Sequence, residues 1–391
     1  MKLLFILHNH SIEGSLISFM KLGEGLLNKG VDLYITITPQ LSGNVFFSKW
    51  VKQHGIATYV VPVIPSTFYF ENLVNTSWFK VLRIKCGLIR RKIHSMYKII
   101  RIVKKISPDI IHTNTGVIHE GFWASVLLGI PHVWHLREYQ DLDFHLEPMQ
   151  GMNKYKKLLR RSYVISITND ILKHFDLVDS PKSCVIYNGI CFKDDIAYRP
   201  HKERYFLCAS RVSSEKCQDE VVKAFSKFVK CFPEYKLLIA GEAAPGYFEY
   251  LQCLIDECGC RDSVVFLGHC ENVKELMAKA KALIVASRNE GLGRMTVEAA
   301  FYGCLTIGRN TGGTKEIIEK IGGFAYSGGE DSLCDSMYSV VDLPESSYAE
   351  MLHDAQIKAI KYFSVEENTQ KVYALYKSIQ NKRINRYNHI L

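Results

Sequence analysis

The chain has 391 residues, 47% of them hydrophobic and 23% charged, and carries a formal net charge of +9. That length exceeds one ordinary core and suits two domains, and the balance is that of a soluble globular protein without an apolar run long enough to cross a bilayer. Twelve cysteines lack the spacing of zinc ligands, which argues for a reducing cytoplasm rather than a disulfide framework.

The opening run Met1–Leu7 stops at His8-Asn9-His10, too short for a signal peptide and suited to a first strand. Leu3–Leu7 and Val31–Ile37 are strand-length apolar runs separated by a helical pattern, Ser15–Lys29, which Gly30 closes. Strand, helix, strand is the start of a doubly wound parallel sheet. The first turn holds Glu13-Gly14-Ser15, where one glycine lets backbone approach a ligand; it reads equally as a helix start capped by Ser15. Tyr59–Pro62, Asp109–His112, His132–His135 and Val164–Ile167 continue the alternation. No Gly-x-Gly-x-x-Gly follows the first strand, which argues against a nicotinamide dehydrogenase.

Between Asn72 and Pro108 there is no Asp or Glu, but there are ten Lys or Arg residues, from Lys80, Arg83 and Lys85 through Arg90, Arg91 and Lys92 to Lys98, Arg101, Lys104 and Lys105. Leu82, Cys86, Ile89, Ile93, Met96, Ile100 and Val103 recur at helical spacing, so the stretch predicts a basic amphipathic helix packed on the sheet. Lys154–Arg161 adds a second basic cluster. Unbalanced positive charge suits an anionic membrane surface. Nucleic acid is not expected as a partner, because no reader motif or aromatic platform accompanies the charge.

The turn Asn188-Gly189 ends the first domain, assigned to residues 1–190. A second, residues 191–364, restarts the pattern: strand Tyr205–Ala209, helix Asp219–Cys231, strand Lys236–Ala240, helix Phe248–Glu257, strand Ser263–Leu267, helix Val273–Lys279 and strand Ala282–Val285. Helical patterns at Ser347–Tyr362 and Val365–Gln380 precede a basic tail, Asn381–Arg386. The expected architecture is α/β, two doubly wound Rossmann-like domains facing across a cleft.

The stretch Ala286–Ala300 follows a buried strand and leads into a helix, Met295–Tyr302. Its glycine-bearing turn leaves backbone N–H groups free for a phosphate or another anion. Glu290 and Glu298 lie outside the apolar stripe of Met295, Val297 and Ala299–Phe301, so both are expected to face water or a ligand. This pair, with Gly291-Leu292-Gly293 after the first glutamate, resembles the signature of the retaining glycosyltransferase family 4, of the GT-B fold. Further segments match in order: Ser210-Arg211 with Glu215-Lys216, Gly241-Glu242, Phe266-Leu267-Gly268-His269 with Glu275-Leu276, Thr311–Glu316, and the hinge-like Val185–Ile190.

The resemblance implies a retaining, metal-independent transfer from a nucleotide sugar to a saccharide or lipid-linked acceptor in synthesis of a bacterial surface polysaccharide. It also implies a peripheral place on the inner face of the cell membrane. Arg211 and Lys216 would stabilise the leaving diphosphate with the amides near Leu292 and Gly293, Glu290 would meet sugar hydroxyls, and Glu298 would hold the ribose. Gly241, Glu242, Gly268 and Gly291 would complete the donor site, and Gly14 and Ser15 the acceptor-side loop. A final helix, about 365–391, would cross back to the first domain. No metal or other cofactor is implied; Asp141-Leu142-Asp143 spells the metal motif of another glycosyltransferase fold but lies far from the donor motifs. Relatives carry His-Asp at the end of the strand His132–Leu136, where this chain offers His135 or Arg137. Cys217 replaces the usual glycine, Glu13 a second glycine of the first turn, and Ala286 the usual proline. A catalytically silent partner subunit and a nucleotide-sugar epimerase are the alternative readings.

Overall fold

The computed structural model describes residues 1–10, 14–69, 78–199 and 201–388, so Glu13 and the first residues of the basic stretch, 72–77, lie outside the described residues. The side chains of Lys80, Leu82, Arg83, Lys85 and Cys86, and of Asn385 and Arg386 in the tail, lie outside them as well. The chain divides into two compact units, one of Met1–Gly189 with Val365–Leu391, the other of Ile190–Ser364.

Among the described residues the first unit holds nine strands: Lys2–Ile6 (β1), Asp32–Ile37 (β2), Ala57–Val60 (β3), Thr67–Tyr69 (β4), Ile110–Thr113 (β5), His132–Leu136 (β6), Leu146–Pro148 (β7), Tyr163–Ser166 (β8) and Ser183–Val185 (β9). Seven form a parallel sheet in the order β3-β2-β1-β5-β6-β8-β9, with β1 paired to β2 and β5 on either side. β4 and β7 make a small antiparallel pair that the sequence did not announce, three residues being too few for a pattern. Alternate side chains of β1 feed two separate cores. Leu3 and Phe5 pack with Phe19 and Leu22 of the helix Gly14–Asn28 and with Val372, Tyr376 and Ile379 of the final helix. Leu4 and Ile6 pack with Ile99, Val103 and Ile106 of the long helix Trp78–Ile106.

That long helix is amphipathic as expected, but Lys92 does not belong to its outer face. Its Nζ donates to Ile64 O (3.2 Å) and Ser66 Oγ (2.5 Å) and lies 3.8 Å from buried Glu120. Lys92 sits three and seven residues before the buried Ser95 and Ile99, hence on the same face. Burial holds its pKa below the ordinary value, against the raising pull of Glu120. Arg90 and Arg91 are exposed.

The final helix runs Val365–Asn388 and takes in the expected basic tail, because no breaker follows Val365 and its Lys and Arg residues favour helix. It is fixed to the first unit by three polar contacts: Asn368 Nδ2 to Tyr187 O (2.6 Å), Lys29 Nζ to Gln370 Oε1 (2.7 Å), and Tyr376 Oη with His112 Nδ1 (2.6 Å).

Among the described residues the second unit has six parallel strands, Tyr205–Ala209 (β10), Lys236–Ala240 (β11), Val264–Gly268 (β12), Ala282–Val285 (β13), Thr306–Arg309 (β14) and Phe324–Tyr326 (β15), in the order β12-β11-β10-β13-β14-β15. The sequence reading missed β14, β15 and the helix Glu330–Val341. Gly308 and Arg309 interrupt the first of these strands and Gly322-Gly323 precede the second, so neither shows an apolar run. The chain enters and leaves this unit side by side, with Ile190 N bonded to Phe363 O (2.8 Å).

Among the described residues the first unit buries four imidazoles, His112, His119, His132 and His135. Burial is the main cause that lowers each pKa, from 6.5 to about 3 for His119 and His132 and well below 6.5 for His112 and His135. The unfolded chain takes up these protons near pH 6.5 while the folded chain does not, so stability is full above that value and falls as pH drops below it. Melting curves between pH 7.5 and 5 should show the first unit losing about 1.4 kcal/mol per pH unit for each such histidine. A stability flat across that window would contradict the account.

Candidate active site

The order of the second sheet places its topological switch point between β10 and β13, where ligands of open α/β sheets bind beyond the carboxyl ends of the strands. The loop after β10 carries Arg211 and Lys216, and the loop after β13 carries Glu290. The first loop is stitched to the one after β11 by Ser210 N to Ala240 O (3.0 Å), Val212 N to Glu242 O (2.8 Å) and Ala244 N to Val212 O (2.9 Å). Gly241 has φ 147°, and a Cβ there would stand 1.9 Å from Ser210 O, so only glycine permits this seam. Gly241 N in turn bonds Gly268 O (2.7 Å) at the end of β12. Glu242 is exposed, 3.9 Å from His269.

Gln218 is the residue the sequence reading missed. Fully buried at the start of the helix Gln218–Phe228, it donates from Nε2 to Ser210 Oγ (3.1 Å) and Arg211 O (3.0 Å), and its Oε1 accepts from Ser213 N (3.3 Å). The three bonds clamp the loop that presents the exposed Arg211 side chain. Its only signal in the sequence is a polar residue two places after Lys216. Cys217, between them, takes φ 53°, the left-handed conformation that glycine adopts without strain. Holding it costs roughly 1 kcal/mol.

Lys216 Nζ and Glu290 Oε1 form an ion pair with their side chains 23% and 20% exposed. Glu298 accepts from Arg294 Nη2 at 3.0 Å one helical turn away. Both glutamates therefore have cationic partners, where the sequence reading expected water or ligand. The Glu298 pairing follows from i,i+4 spacing; that of Glu290 joins residues 74 apart and is set by the fold. The turn between the glutamates ends at Gly293, before the helix Arg294–Phe301, and Leu292 is buried beside it. Gly313 packs against the turn so closely that a Cβ would lie 2.8 Å from Glu290 O, Gly291 O and Leu292 Cα. Its N–H donates to Glu290 O (2.8 Å), Thr311 Oγ1 to Arg288 O (2.9 Å), and Arg309 Nε to Ala286 O (2.8 Å). Both edges of the turn are thus fixed from β14.

In the first unit the switch point lies between β1 and β5. Gly14 opens a helix there at the surface, with Ser15 Oγ accepting from Asn9 Nδ2 (2.8 Å) and Ser15 O from Asn114 Nδ2 (3.4 Å). His135 is fully buried. Arg137, 7% exposed, donates to Asn114 O and Oδ1, to Asn188 Oδ1 (2.6 Å) and to His135 Nδ1 (3.2 Å). A guanidinium only donates, so His135 Nδ1 accepts; burial first, then the Arg137 charge, keeps that ring neutral. Asp141 lies 2.8 Å from His174 Nε2, and Asp143 accepts from Tyr139 N (2.9 Å), so both acids of Asp141-Leu142-Asp143 have partners within the first unit.

Residues 193–358 match the sequence profile of the family described as Glycosyl transferases group 1. Over 117 residues the chain is 33% identical to the N-acetyl-alpha-D-glucosaminyl L-malate synthase of Bacillus anthracis, covering 30% of each chain. Over 139 residues it is 30% identical to the GalNAc-alpha-(1->4)-GalNAc-alpha-(1->3)-diNAcBac-PP-undecaprenol alpha-1,4-N-acetyl-D-galactosaminyltransferase of Campylobacter jejuni, covering 34% of this chain and 38% of that one. The chain thus spans about a third of the length of these two relatives. The crystal structure of HepE from Anabaena in complex with UDP superposes with a TM-score of 0.77 at 20% identity, over 97% of this chain and 100% of that one. With its two doubly wound parallel sheets the chain has the GT-B fold, and its residues 193–358 are similar to the glycosyl transferases group 1.

Proposed function

We propose that the chain is a retaining, metal-independent glycosyltransferase. In this reading it moves a sugar from a nucleotide-sugar donor to a lipid-linked saccharide acceptor of cell-surface polysaccharide synthesis, while held on an anionic membrane surface at the cytoplasmic face. The observation that carries the reading is the meeting of Lys216 and Glu290 at the switch point of the second unit, with Arg211 on the same loop as Lys216. The Anabaena structure was solved with UDP, and the name of the Campylobacter relative specifies an undecaprenol-linked acceptor; both are consistent with this choice of donor and acceptor.

Breaking the sugar–phosphate bond puts negative charge on the leaving diphosphate. Arg211 and Lys216 supply fixed positive charge for it, aided by backbone donors at the start of the helix Arg294–Phe301. Without donor, Glu290 neutralises Lys216. An arriving diphosphate takes over the lysine, and the freed Glu290 turns its oxygens to the sugar hydroxyls. Glu298, steadied by Arg294, is assigned to the ribose. Retention is assigned to attack from the face the diphosphate leaves. In the first unit His135 acts through Arg137, since it has no exposed surface of its own. Two protein cations at the leaving group supply the charge that a metal would otherwise supply, and the acids of Asp141-Leu142-Asp143 already have protein partners.

Lys216→Ala and Arg211→Ala should each lose about 3 kcal/mol of transition-state stabilisation, at least a hundredfold in turnover of the nucleotide sugar, with unchanged circular dichroism. Near-normal rates in both variants would remove the leaving-group assignment. Gln218→Ala should slow turnover about tenfold, and the loss should not add to that of Arg211→Ala in a double-mutant cycle, because the amide acts through the arginine loop. Strict additivity would separate Gln218 from Arg211. Transfer should also persist in EDTA; restoration only by an added divalent ion would overturn metal independence.

A further inference from the structure

The short helix Glu120–Leu128 presents an outward face with no polar side chain. Trp123 is 44% exposed, Val126 46% and Leu127 65%, while Glu120 and Ser125 are turned inward and buried. It lies against the long helix Trp78–Ile106, where Glu120 meets Lys92 and Ser95 Oγ, and Ala124 shares a core with Ile99 and Val103. On that long helix Lys105 lies over Tyr59 of the edge strand β3, 5.6 Å from its ring centroid. At about 100° per residue, Ile89, Ile93 and Tyr97 lie about 160°, 120° and 80° around the helix from Lys105 and form one i,i+4 stripe. They are 50%, 65% and 58% exposed. Six large apolar side chains on two helices that pack together are therefore left exposed.

The rim of this patch is positive. Arg90, Arg91, Arg101 and Lys104 are exposed on the long helix, and Arg101 reaches over the Tyr97 ring at 5.9 Å. Arg161 of the second basic cluster reaches over Phe122 of the short helix at 5.4 Å. No acid occurs anywhere between Asn72 and Pro108. Apolar side chains with Trp and Tyr among them, bordered by cations, match the boundary between anionic headgroups and acyl chains. A second copy of the chain fits poorly: it would meet its own positive rim, and six side chains fall short of the roughly 20–30 residues a side of a stable interface.

We propose that Trp123, Val126 and Leu127, with Ile93 and Tyr97, insert into the acyl boundary of an anionic leaflet, so that attachment has an apolar part that salt does not remove. The proposal rests on the reading of the chain as peripheral to a membrane and adds which side chains enter it. Among the described residues no helix is long and apolar enough to cross a membrane, so this insertion is shallow and reversible.

Sedimentation of the full chain with phosphatidylglycerol–phosphatidylcholine vesicles tests it. At low salt both the native chain and Trp123→Ser/Leu127→Ser should pellet. At about 1 M salt, where the screening length is about 3 Å, the native chain should stay bound and the variant should partition at least about tenfold more weakly. Trp50 and Trp134 are buried, so in a Trp78→Phe background lipids brominated on the acyl chain should quench Trp123; this reads insertion even if the double variant folds poorly. Complete release of the native chain by salt, or no quenching, would overturn insertion and leave electrostatic attachment standing. A dimer that buries Trp123 in light scattering would assign the face to a second copy instead. Absence of binding to any vesicle would overturn both insertion and the membrane reading, while donor hydrolysis without vesicles, expected unchanged in the variant, reports on the sugar-transfer reading alone.

Discussion

Lys216 and Glu290 come from loops on opposite sides of a switch point and are joined by one ion pair. For a pair covered to this degree the cost of desolvation offsets much of the Coulomb gain, so this contact matters less for stability than for position. Two charges with most of their surface covered hold each other. In the proposed function each exchanges its partner, the lysine for a phosphate and the carboxylate for hydroxyls. Everything around the pair serves its position. Gln218 and the seam at Gly241 fix the lysine-bearing loop, and Gly313, Thr311 and Arg309 fix the glutamate-bearing turn. Cys217 shows the cost of that placement, since the chain keeps a side chain in a conformation glycine would adopt without strain.

The first unit is built on a different balance. Its central strands bury imidazoles beside the guanidinium of Arg137, and the final helix returns to this polar core through Tyr376 and His112. Such a core is tolerated because asparagine side-chain and carbonyl oxygens meet the guanidinium's donors, and because burial keeps the imidazoles neutral. It makes the unit sensitive to acid, and it fixes the strand end bearing His135 and Arg137 as one rigid group.

On the surface of the same unit charge and apolar area are sorted. Lys92, an ordinary member of a cationic run in the sequence, turns inward to Ser66 and Glu120, whereas Ile93 beside it turns outward. A basic helix with isoleucines on its outer side would be poorly covered in water alone, which is why the neighbouring apolar helix bears on the same question.

The sequence by itself determined the two-unit α/β plan, most strand positions, and the glycine-bearing loops after them, because buried parallel strands read as unbroken apolar runs and such turns follow them at fixed places. It also held the Arg294–Glu298 pair, since i,i+4 neighbours are set by helical geometry alone. Only the tertiary structure decided the rest. β14 and β15 are too short and too glycine-broken to show a period, yet they close the sheet. Gln218, Lys92 and the partner of Glu290 act across 5, 28 and 74 positions, at separations that chain topology, not local pattern, brings within hydrogen-bonding distance.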